Sequence, residues 1–370
     1  MADINPPGAL SGVAQPNWVM KVNGDTIARV ESVRVSSNNY YRADEWSAEL
    51  IPDGEAKWTL DKWFPQNDTS TPPMVEIGGG DNLMGDYTTW IIGRADKRSW
   101  NPLTGVLSVS GRDRTAELIE AKTFENFKNK TSSDIATILA GRHGMTPVVT
   151  TTTTAVSRYY QQDHDKVTGD TNSRAMTEWD LLTELAQDEG FDVFVYGNEL
   201  HFQPQPVATG DAWCARIDRS VTPVRANFTG LTVAKDDLTK SILVRVRSWN
   251  SKMGSGFEVT APIGVSQSQA QSGKTTAYEF RRPNLTRDQA QKVANGLYKN
   301  LSRHQVKVTA EWPNMTSMTA RSLLRLDGVS VGMDGVYFIT TIDRDASFSD
   351  GYSEHVTACN QQPSATAAVA

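Results

Sequence analysis

The 370-residue chain has few of the residues that support metal or disulfide chemistry. It contains two cysteines, Cys214 and Cys359, and only five histidines. Two thiols cannot build a disulfide framework or a four-thiolate zinc site, and no two histidines have the H-x-x-x-H spacing of a helical zinc site. We therefore expect both cysteines to be small buried hydrophobes. The sequence predicts no metal site and no cofactor.

Long apolar runs and an excess of basic residues are missing as well. No segment approaches the roughly 18 apolar residues of a membrane helix, and the mean hydropathy is −0.44. The first sixteen residues lack a basic start and an apolar stretch, so we expect no signal peptide. Lysine and arginine number 37 against 43 acidic residues, which leaves a net charge of −6. This balance disfavours a protein that holds nucleic acid through a basic face.

The usual catalytic motifs are also absent. No G-x-S-x-G marks a hydrolase nucleophile. The Gly-Lys-Thr at 273–275 has Ser268 where a phosphate-binding loop needs glycine. Carboxylate pairs such as Asp343 and Asp345 occur, but a surface ion pair with Arg344 explains them more simply than glycan cleavage does. We predict no catalytic residue.

What the chain does contain is short strands separated by turns. Residues 17–53 alternate with period two around the turn Asn23-Gly24-Asp25. Residues 74–111 continue the pattern with turns predicted at 78–81 and 101–105, and a short helix is predicted within 54–64. Short strands with frequent turns are typical of a barrel or sandwich rather than of a parallel sheet.

Helical signals are concentrated in the middle of the chain. Thr131 and Asp134 have the spacing of a capping box, which predicts a helix over 131–141. A second helix is predicted from Ser173 to about Glu189, with Gly190 placed to terminate it. A hairpin at 191–202 follows, turning at Gly197-Asn198. The order helix, helix, hairpin predicts an α+β unit.

From about residue 224, strands dominate again around one long helix. Thr286 to Gln289 form another capping-box pattern. The helix that it opens carries an apolar stripe with helical spacing, made of Ala290, Val293, Ala294, Leu297 and Leu301.

The two strand-rich regions end alike. Residues 90–111 read WIIGRADKRSWNPLTGVLSVSG, and residues 337–359 read YFITTIDRDASFSDGYSEHVTAC. Each runs an apolar strand into an Asp/Arg segment, a turn and another strand. This predicts an internal duplication, with two similar barrels flanking a helical insert. Chance similarity between two hairpins is the alternative.

Several motifs, in order and spacing, carry a family resemblance. A strand ends in G-x-D at 111–113, the helix A-x-x-L-x-x-x-H-G follows at 136–144, and W-x-x-L-x-x-L-A-x-x-E-G at 179–190 leads into the hairpin. The last region adds D-Q-A-Q-x-x-A, L-x-G and G-x-Y-x-I-T, at 288–294, 326–328 and 335–340. Over about 17–360 the chain resembles the hub proteins of contractile phage tail baseplates, the late-control D-protein family.

The resemblance implies a non-enzymatic assembly part with an α+β, mostly β fold. It predicts two tail-tube-like β-barrel domains with a helical and hairpin insert between them. The expected divisions are an N-terminal arm at 1–16, a first barrel at 17–113, the insert at 114–222, a second barrel with one long helix at 223–360 and a flexible tail at 361–370. Hubs of this family form a trimeric ring with pseudo-sixfold symmetry, which joins the hexameric tail tube to the trimeric spike and lets DNA pass.

The implied partners are further copies of the chain in a homotrimer, the tail tube or a tube-initiator protein, the spike protein trimer and baseplate wedge proteins. DNA would be present only in transit, through an acidic lumen that does not bind phosphate, and no membrane segment is expected. The protein would belong to the virion, in the tail baseplate, after assembly in the host cytoplasm. Trp63 and Phe64 precede a polar loop and fit the core pattern less well than the other aromatic residues, so they are the predicted interface residues.

Three alternatives remain open at this point. The hub half of a type VI secretion-like spike shares the barrels but normally continues into a β-helical spike, and no repeats of that kind follow residue 360. A tail-associated peptidoglycan hydrolase would need a catalytic carboxylate pair. A carbohydrate-binding module would use exposed tryptophans as stacking platforms.

Overall fold

The computed structural model describes residues 16–52, 58–65, 72–81, 87–123, 125, 127, 130–153, 176–204, 212–235, 242–250, 255–262, 276–282, 287–302, 306–313, 316–330 and 332–360. The predicted tail, and the predicted arm apart from Pro16, lie outside these residues. The chain is mostly β, as the sequence predicts.

The described secondary structure consists of short strands and a few helices. The strands are β1 Pro16–Val22, β2 Asp25–Thr26, β3 Val30–Asn38, β4 Glu45–Leu50, β5 Met74–Asp81, β6 Thr88–Asn101, β7 Val106–Asp113, β8 Lys122–Thr123, β9 Thr146–Val149, β10 Met176–Thr177, β11 Phe191–Tyr196, β12 Glu199–Pro204, β13 Ala212–Asp218, β14 Arg225–Ala226, β15 Gly230–Lys235, β16 Ile242–Asn250, β17 Ser255–Ala261, β18 Thr276–Arg281, β19 Val306–Trp312, β20 Leu323–Asp327, β21 Gly335–Ser347 and β22 Gly351–Cys359. The helices are α1 Leu60–Trp63, α2 Thr115–Glu120, α3 Ser132–Arg142, α4 Glu178–Glu189 and α5 Arg287–Ser302.

The first seven strands form one wrapped sheet, which we call repeat 1. Its strand order is β3-β4-β7-β6-β5-β1-β2, and every neighbouring pair is antiparallel. Alternate side chains of these strands point into a shared core, which includes Met20, Val22, Val33, Val35, Trp46, Leu50, Val75, Ile77, Trp90, Leu107 and Val109. The described pairings form an open path around this core, so the first predicted barrel is present as a wrapped, barrel-like sheet.

The second strand-rich region, repeat 2, follows the same path. Its order is β15-β19-β22-β21-β20-β13-β14, and each strand occupies the chain position of its counterpart in repeat 1. One pairing differs, because β13 runs parallel to β20 while β1 is antiparallel to β5. The long first strand of each closing hairpin carries a bulge at the same place, after Ala95 and after Ile339. The predicted internal duplication is confirmed.

Repeat 1 and repeat 2 are joined into one continuous sheet. β3 pairs antiparallel with the C-terminal half of β21, from Asn38 opposite Thr341 to Ser32 opposite Ser347. Hydrogen-bonded strands, rather than a loose linker, therefore fix the position of one repeat against the other.

Between the repeats lies the predicted α+β insert, in which α2, α3 and α4 pack with β9, β11 and β12 around a core of their own. The capping box of α3 is confirmed, since Asp134 N–H donates to Thr131 Oγ1 at 3.2 Å and Thr131 N–H donates to Asp134 Oδ2 at 3.1 Å. α4 begins later than the predicted Ser173, at Glu178, because Thr177 and the residue before it pair with β8. Gly190 ends α4 with a left-handed φ of 71°, as predicted.

A second, smaller α/β unit lies at 242–302, between β15 and β19. Its three strands, in the order β17-β16-β18, form a separate sheet. The predicted apolar stripe of α5 packs on that sheet through Ala290, Ala294 and Leu297. The sequence divides the chain at 222 and 223, whereas β13 at Ala212–Asp218 already pairs with β20 of repeat 2. The chain segment of repeat 2 therefore contains a unit with a core of its own.

The predicted turn at 78–81 is wrong, because Gly78 and Gly79 lie inside β5. Both glycines are required by close packing rather than by a turn. A Cβ on Gly79 would lie 2.5 Å from the Trp90 ring, and a Cβ on Gly78 would lie 2.5 Å from the Thr88 carbonyl oxygen. The glycines let Trp90 lie against the strand on its way into the core of repeat 1.

Candidate assembly surfaces

One face of the joined sheet is concave and polar, and we call it the concave face. It surrounds a cavity of about 650 Å³ between strands of both repeats. Its lining is rich in short hydroxyl side chains, namely Ser32, Ser47, Ser99, Ser108, Ser110, Ser347 and Ser353, with Arg34, Lys97, Glu49, Asp345 and Asp350 as charged members. Two positive and three negative charges among serines make a hydrated wall with no basic cluster for phosphate.

The ion pair between Arg34 and Asp345 lies on this face and crosses the joint between the repeats. The Arg34 Nε is 3.5 Å from Asp345 Oδ1, and both side chains are exposed. Exposed pairs of this kind contribute about 0–1 kcal/mol. The sequence predicts a surface ion pair involving Arg344, which is wrong, because neighbouring residues of a strand point to opposite faces.

Arg344 points to the opposite side of β21, into a buried polar network. It is only 3% exposed and Glu354 is fully buried, with Arg344 Nη2 3.5 Å from Glu354 Oε1. Arg344 also donates to the Met318 carbonyl at 2.6 Å. Glu354 accepts hydrogen bonds from Thr316 Oγ1 at 2.6 Å and from Tyr352 OH at 2.7 Å. Burial and the charge of Glu354 hold the pKa of Tyr352 well above its usual value.

The same network contacts the core of repeat 1. The Arg344 guanidinium lies 5.5 Å from the centre of the Trp90 ring, and the Trp90 and Tyr352 rings are 5.8 Å apart. Tyr352 and Ala346 belong to the hydrophobic core of repeat 1 although they lie in β22 and β21. The joint is therefore built like a protein interior, with a buried charge pair set among aromatic rings.

The loop at 39–44 joins both repeats to the insert. Asn39 donates from its side chain to the Ile339 carbonyl at 2.8 Å and from its backbone to the Thr340 carbonyl at 2.9 Å. The indole N–H of Trp179, in α4, donates to the Tyr41 carbonyl at 3.0 Å. One short loop thus holds three parts of the chain.

Two acidic groups lie at this junction. Asp44 accepts hydrogen bonds from the backbone and side chain of Asn38 at 2.8 Å, and Asp113 accepts one from Thr115 Oγ1 at 2.7 Å. Burial raises the pKa of Asp44 to about 6. Burial, together with the charge of Asp44, raises the pKa of Asp113 well above its usual value. The aspartate of the G-x-D motif therefore has a structural role, because Asp113 accepts hydrogen bonds from Thr115 at the start of α2.

Repeat 2 is held to the insert by Arg321. Its guanidinium donates to Asp192 Oδ2 at 2.8 Å and lies 3.7 Å from the centre of the Phe194 ring. The planar cation can use its edge for the carboxylate and its face for the ring at the same time.

A second charged cluster lies between the helices of the insert, beside a cavity of about 400 Å³. His143 is the C-cap residue of α3. Its Nε2 lies 2.6 Å from Glu178 Oε2 at the start of α4. Arg142 also pairs with Glu178, and Arg114 pairs with Glu117 at 3.0 Å and donates to the His143 carbonyl at 2.6 Å. The carboxylates of Glu117 and Glu178 both have cationic partners, so we interpret the cluster as a structural contact between helices.

No arrangement for metal chemistry occurs among the residues that the structure describes. They contain no group of three or more His, Cys, Asp and Glu side chains that could hold a metal ion. Cys214 and Cys359 are both buried, and neither forms a disulfide. The Gly-Lys-Thr segment at 273–275 lies outside the described ranges. Within those ranges, no helix has the length and hydropathy needed to cross a membrane.

Comparison with known proteins places this architecture. By sequence, no family model and no curated protein matches the chain. By structure, it is similar to a tail protein from Neisseria meningitidis MC58, with a TM-score of 0.70 and 15% identity over 95% of this chain and 99% of that one. A 43 kDa tail protein of prophage MuSo2 from Shewanella oneidensis has a TM-score of 0.62 and 14% identity, over 93% of this chain and 98% of that one.

The chain has the fold of these phage tail proteins. The resemblance stated from the sequence is confirmed at the level of the fold. The tail-protein fold is also similar to a type VI secretion component from E. coli, described as structurally similar to the T4 tail proteins gp27 and gp5. That match has a TM-score of 0.53 and 10% identity, over 92% of this chain and 76% of the other.

Within this tail-protein fold, the two predicted interface residues lie in different environments. Trp63 is 1% exposed in the core of repeat 1, where its ring is 5.3 Å from that of Trp58 and its carbonyl accepts a hydrogen bond from Arg98 at 2.6 Å. Phe64 is 41% exposed. Because a fully buried side chain cannot touch a partner, the interface prediction now rests on Phe64 and stays a prediction.

Sequence reasoning missed the two most exposed large apolar side chains among the described residues, and both lie at the tip of the closing hairpin of a repeat. Leu103 is 95% exposed at the turn between β6 and β7, and Phe348 is 71% exposed at the turn between β21 and β22. The Phe348 ring is 5.1 Å from that of Trp18. A large apolar residue inside a predicted turn, in NPLTG and in SFSDG, was the signal available in the sequence.

Proposed function

We propose that this chain is the structural hub of a phage tail baseplate, and that it works as a homotrimeric ring. The supporting observation is that one seven-strand path occurs twice in the chain, side by side in one continuous sheet. Three such chains supply six similar repeats, which suits a hexameric tail tube. The ring as a whole keeps threefold symmetry, which suits a trimeric spike.

The tail tube or a tube-initiator protein docks on the hairpin tips in this proposal. Leu103 and Phe348 give every repeat one exposed apolar side chain at the tip of the same hairpin, so a trimer presents six such contacts. The regular array of six apolar side chains that a ring would present is the reason for placing the tube contact at these tips. In the same proposal, the spike trimer and the wedge proteins bind elsewhere on the ring, and the chain is part of the virion after assembly in the host cytoplasm.

The concave face is the wall of the DNA passage in this proposal. Its serines and mixed charges do not form the lysine and arginine array that neutralises phosphates, so DNA moves past without being held. The assembled ring should not retain DNA in a filter-binding assay at low salt. Strong salt-dependent retention would contradict this part of the proposal.

We propose that the chain itself has no enzymatic activity. The similar folds belong to tail proteins and a secretion component, and the charged clusters of the described residues are paired at the junctions between parts of the chain. Purified protein should therefore leave isolated peptidoglycan intact. Lysis that disappears when a carboxylate pair is changed would favour a tail-associated hydrolase instead.

The hub part of a type VI secretion spike is the second candidate. The similarity to the E. coli secretion component favours it, since the fold covers 76% of that chain. Labelling with an antibody separates the two, because a phage hub lies at the baseplate end of released particles. A type VI part would instead be retained with a spike on contractile sheaths inside producing cells.

The decisive experiment measures the mass of the purified chain by light scattering, alone and with a spike protein, and images the product. A trimeric ring with six similar lobes is expected. The double variant Leu103→Asp, Phe348→Asp should keep the trimer and lose binding to tube protein. A chain that stays monomeric under both conditions would overturn the hub assignment.

A further inference from the structure

We infer that the ring closes through a specific strand pairing between copies. β15 of one copy pairs antiparallel with the C-terminal half of β6 of the next copy, in the register that β3 and β21 show within the chain. This inference rests on the proposed function and adds to it the surface, the partner and the residues of the contact. The partner is a second copy of this chain.

The first observation is an edge without a strand partner on β15. In repeat 1, β3 pairs with β4 on one side and with β21 of the other repeat on the other side. β15 occupies the same position in repeat 2 and pairs with β19 alone among the described strands. An open edge of this kind is a template for another strand.

The second observation is a matching edge on β6. β21 changes neighbour along its length, since its first part pairs with β20 up to Phe338 and the part after the bulge pairs with β3 from Thr341. β6 is built alike, and its first part pairs with β5 up to Arg94. After the bulge, no described strand lies on that side of β6. The two open edges are therefore the two halves of the contact that already exists once within the chain.

Burial supports the same conclusion. From Thr340 to Asp345, residues of β21 alternate between buried and half-buried. None of the equivalent residues of β6, from Asp96 to Asn101, is buried, since four are exposed and two are half-buried. Val33 and Val35 of β3 are buried, whereas their counterparts Leu231 and Val233 of β15 are only half-buried. Both surfaces are therefore more exposed than the equivalent surfaces that meet within the chain.

The register follows from hydrogen-bonded pairs that the repeats share. Ala95 N–H donates to the Pro73 carbonyl, and Ile339 N–H donates to the Ser322 carbonyl, both at 3.1 Å, so Asn101 of β6 corresponds to Asp345 of β21. For β3 and β15 the correspondence is found through their neighbours, since Arg34 lies opposite Ser47 of β4 and Thr232 lies opposite Thr309 of β19. Ser47 and Thr309 are equivalent because they lie opposite equivalent residues of β7 and β22. Thr232 of β15 therefore corresponds to Arg34 of β3.

The contact between copies then reproduces the pairs within the chain. Asp345 lies opposite Arg34 and Asp343 lies opposite Ser36. The corresponding pairs are Asn101 of one copy with Thr232 of the next, and Ser99 with Ala234. All four of these side chains are exposed in the single chain, so they can be changed without disturbing either core.

Cysteine cross-linking in the full-length protein tests this register. The double variant Asn101→Cys, Thr232→Cys should form disulfides between copies under mild oxidation, giving a ladder that ends at the trimer on a non-reducing gel. Opposite residues on neighbouring strands have Cβ atoms about 4.5–5.5 Å apart, which disulfide geometry permits. The native thiols of Cys214 and Cys359 are buried, and each single-cysteine variant controls for them.

Two matched variants calibrate the experiment. Arg34→Cys, Asp345→Cys places the same pair within one chain and should close without forming a ladder. Asn101→Cys, Ala234→Cys shifts the register by two residues, which separates the side chains to about 7–8 Å, and should cross-link far more slowly than the first pair.

The outcomes separate this inference from the hub proposal. A trimer by mass whose Asn101 and Thr232 variant fails to cross-link, while the control within the chain closes, overturns the strand pairing and leaves the hub function standing. Faster cross-linking in the shifted register also overturns the pairing. A chain that stays monomeric and forms no ladder contradicts both proposals.

Discussion

Replacing Glu354 by alanine should destabilise the protein far more than any change of the exposed charges around it. Glu354 is fully buried and accepts hydrogen bonds from Thr316 and Tyr352. Its removal leaves those donors without their acceptor and leaves Arg344, 3% exposed, without its counter-charge. Breaking a buried ion pair on one side costs about 3–5 kcal/mol in the free energy of unfolding. Asp345→Ala is the matched control, because its pair with Arg34 is exposed and should cost about 0–1 kcal/mol.

Urea unfolding followed by tryptophan fluorescence and circular dichroism measures the difference. Trp90 lies beside Arg344 and Tyr352, so one of the ten tryptophans contributes emission that is sensitive to the network. Glu354→Gln keeps one acceptor oxygen and should lose about 1–3 kcal/mol, the cost of an incompletely satisfied buried group. If Glu354→Ala and Asp345→Ala unfold within about 1 kcal/mol of each other, the network does not stabilise the joint and the reasoning fails.

Two further predictions concern single positions. Gly111→Ala should destabilise the protein by about 1–3 kcal/mol, because the added Cβ would lie 1.8 Å from the Arg94 carbonyl oxygen. Gly141→Ala, in open space on α3, should instead stabilise the protein by up to about 1 kcal/mol. Thermal melts of the two variants check this, and equal melting points would contradict it. Because the pKa of Asp44 is raised to about 6, the folded chain binds more protons than the unfolded chain between pH 4 and 6, so stability should fall by about 3 kcal/mol as pH rises across this window. Burial and the charge of Asp44 also raise the pKa of Asp113, so Asp113 adds to this fall in stability. Asp113→Asn should therefore flatten the slope in a series of urea melts, and an unchanged slope would contradict the raised pKa of Asp113.

Elements marked by local chemistry could be predicted from the sequence. Thr131 and Asp134 specify the start of α3 by their own hydrogen bonds, and Gly190 ends α4 because its φ of 71° suits glycine. The stripe of α5 is likewise visible as spacing alone. In each case the residues that carry the signal are within a few positions of the structure that they determine.

Features that depend on distant partners could not be predicted in this way. Gly78 and Gly79 look like a turn until Trp90 is placed against them. In the sequence, Arg344 and Asp345 are neighbours and suggest one surface ion pair. In the structure they lie on opposite faces of β21, and Arg344 lies on the buried face, beside Glu354. The separate sheet at 242–302 has the same alternation as its neighbours, because period two does not say which strand pairs with which.

The duplication lies between these cases. The sequence showed it in the closing hairpins, and the pairing extends it to all seven strands of each repeat. A further signal was available in EWSAEL at 45–50 and KVTAEW at 307–312, where Ser47 and Thr309 occupy the same position in β4 and β19. The motif is too short to stand out before the strands around it are aligned.

The connection between the third and fourth strands differs greatly between repeat 1 and repeat 2. In repeat 1 it is the loop at 39–44, which is short and lies against Ile339 and Thr340. In repeat 2 the same connection has grown into the α/β unit at 242–302. In a ring of six repeats, that unit would decorate every second position and leave the others bare. In the proposed ring, duplication would thereby free one repeat of each chain to change, and a near-sixfold scaffold would acquire threefold landmarks without altering the strands that build it.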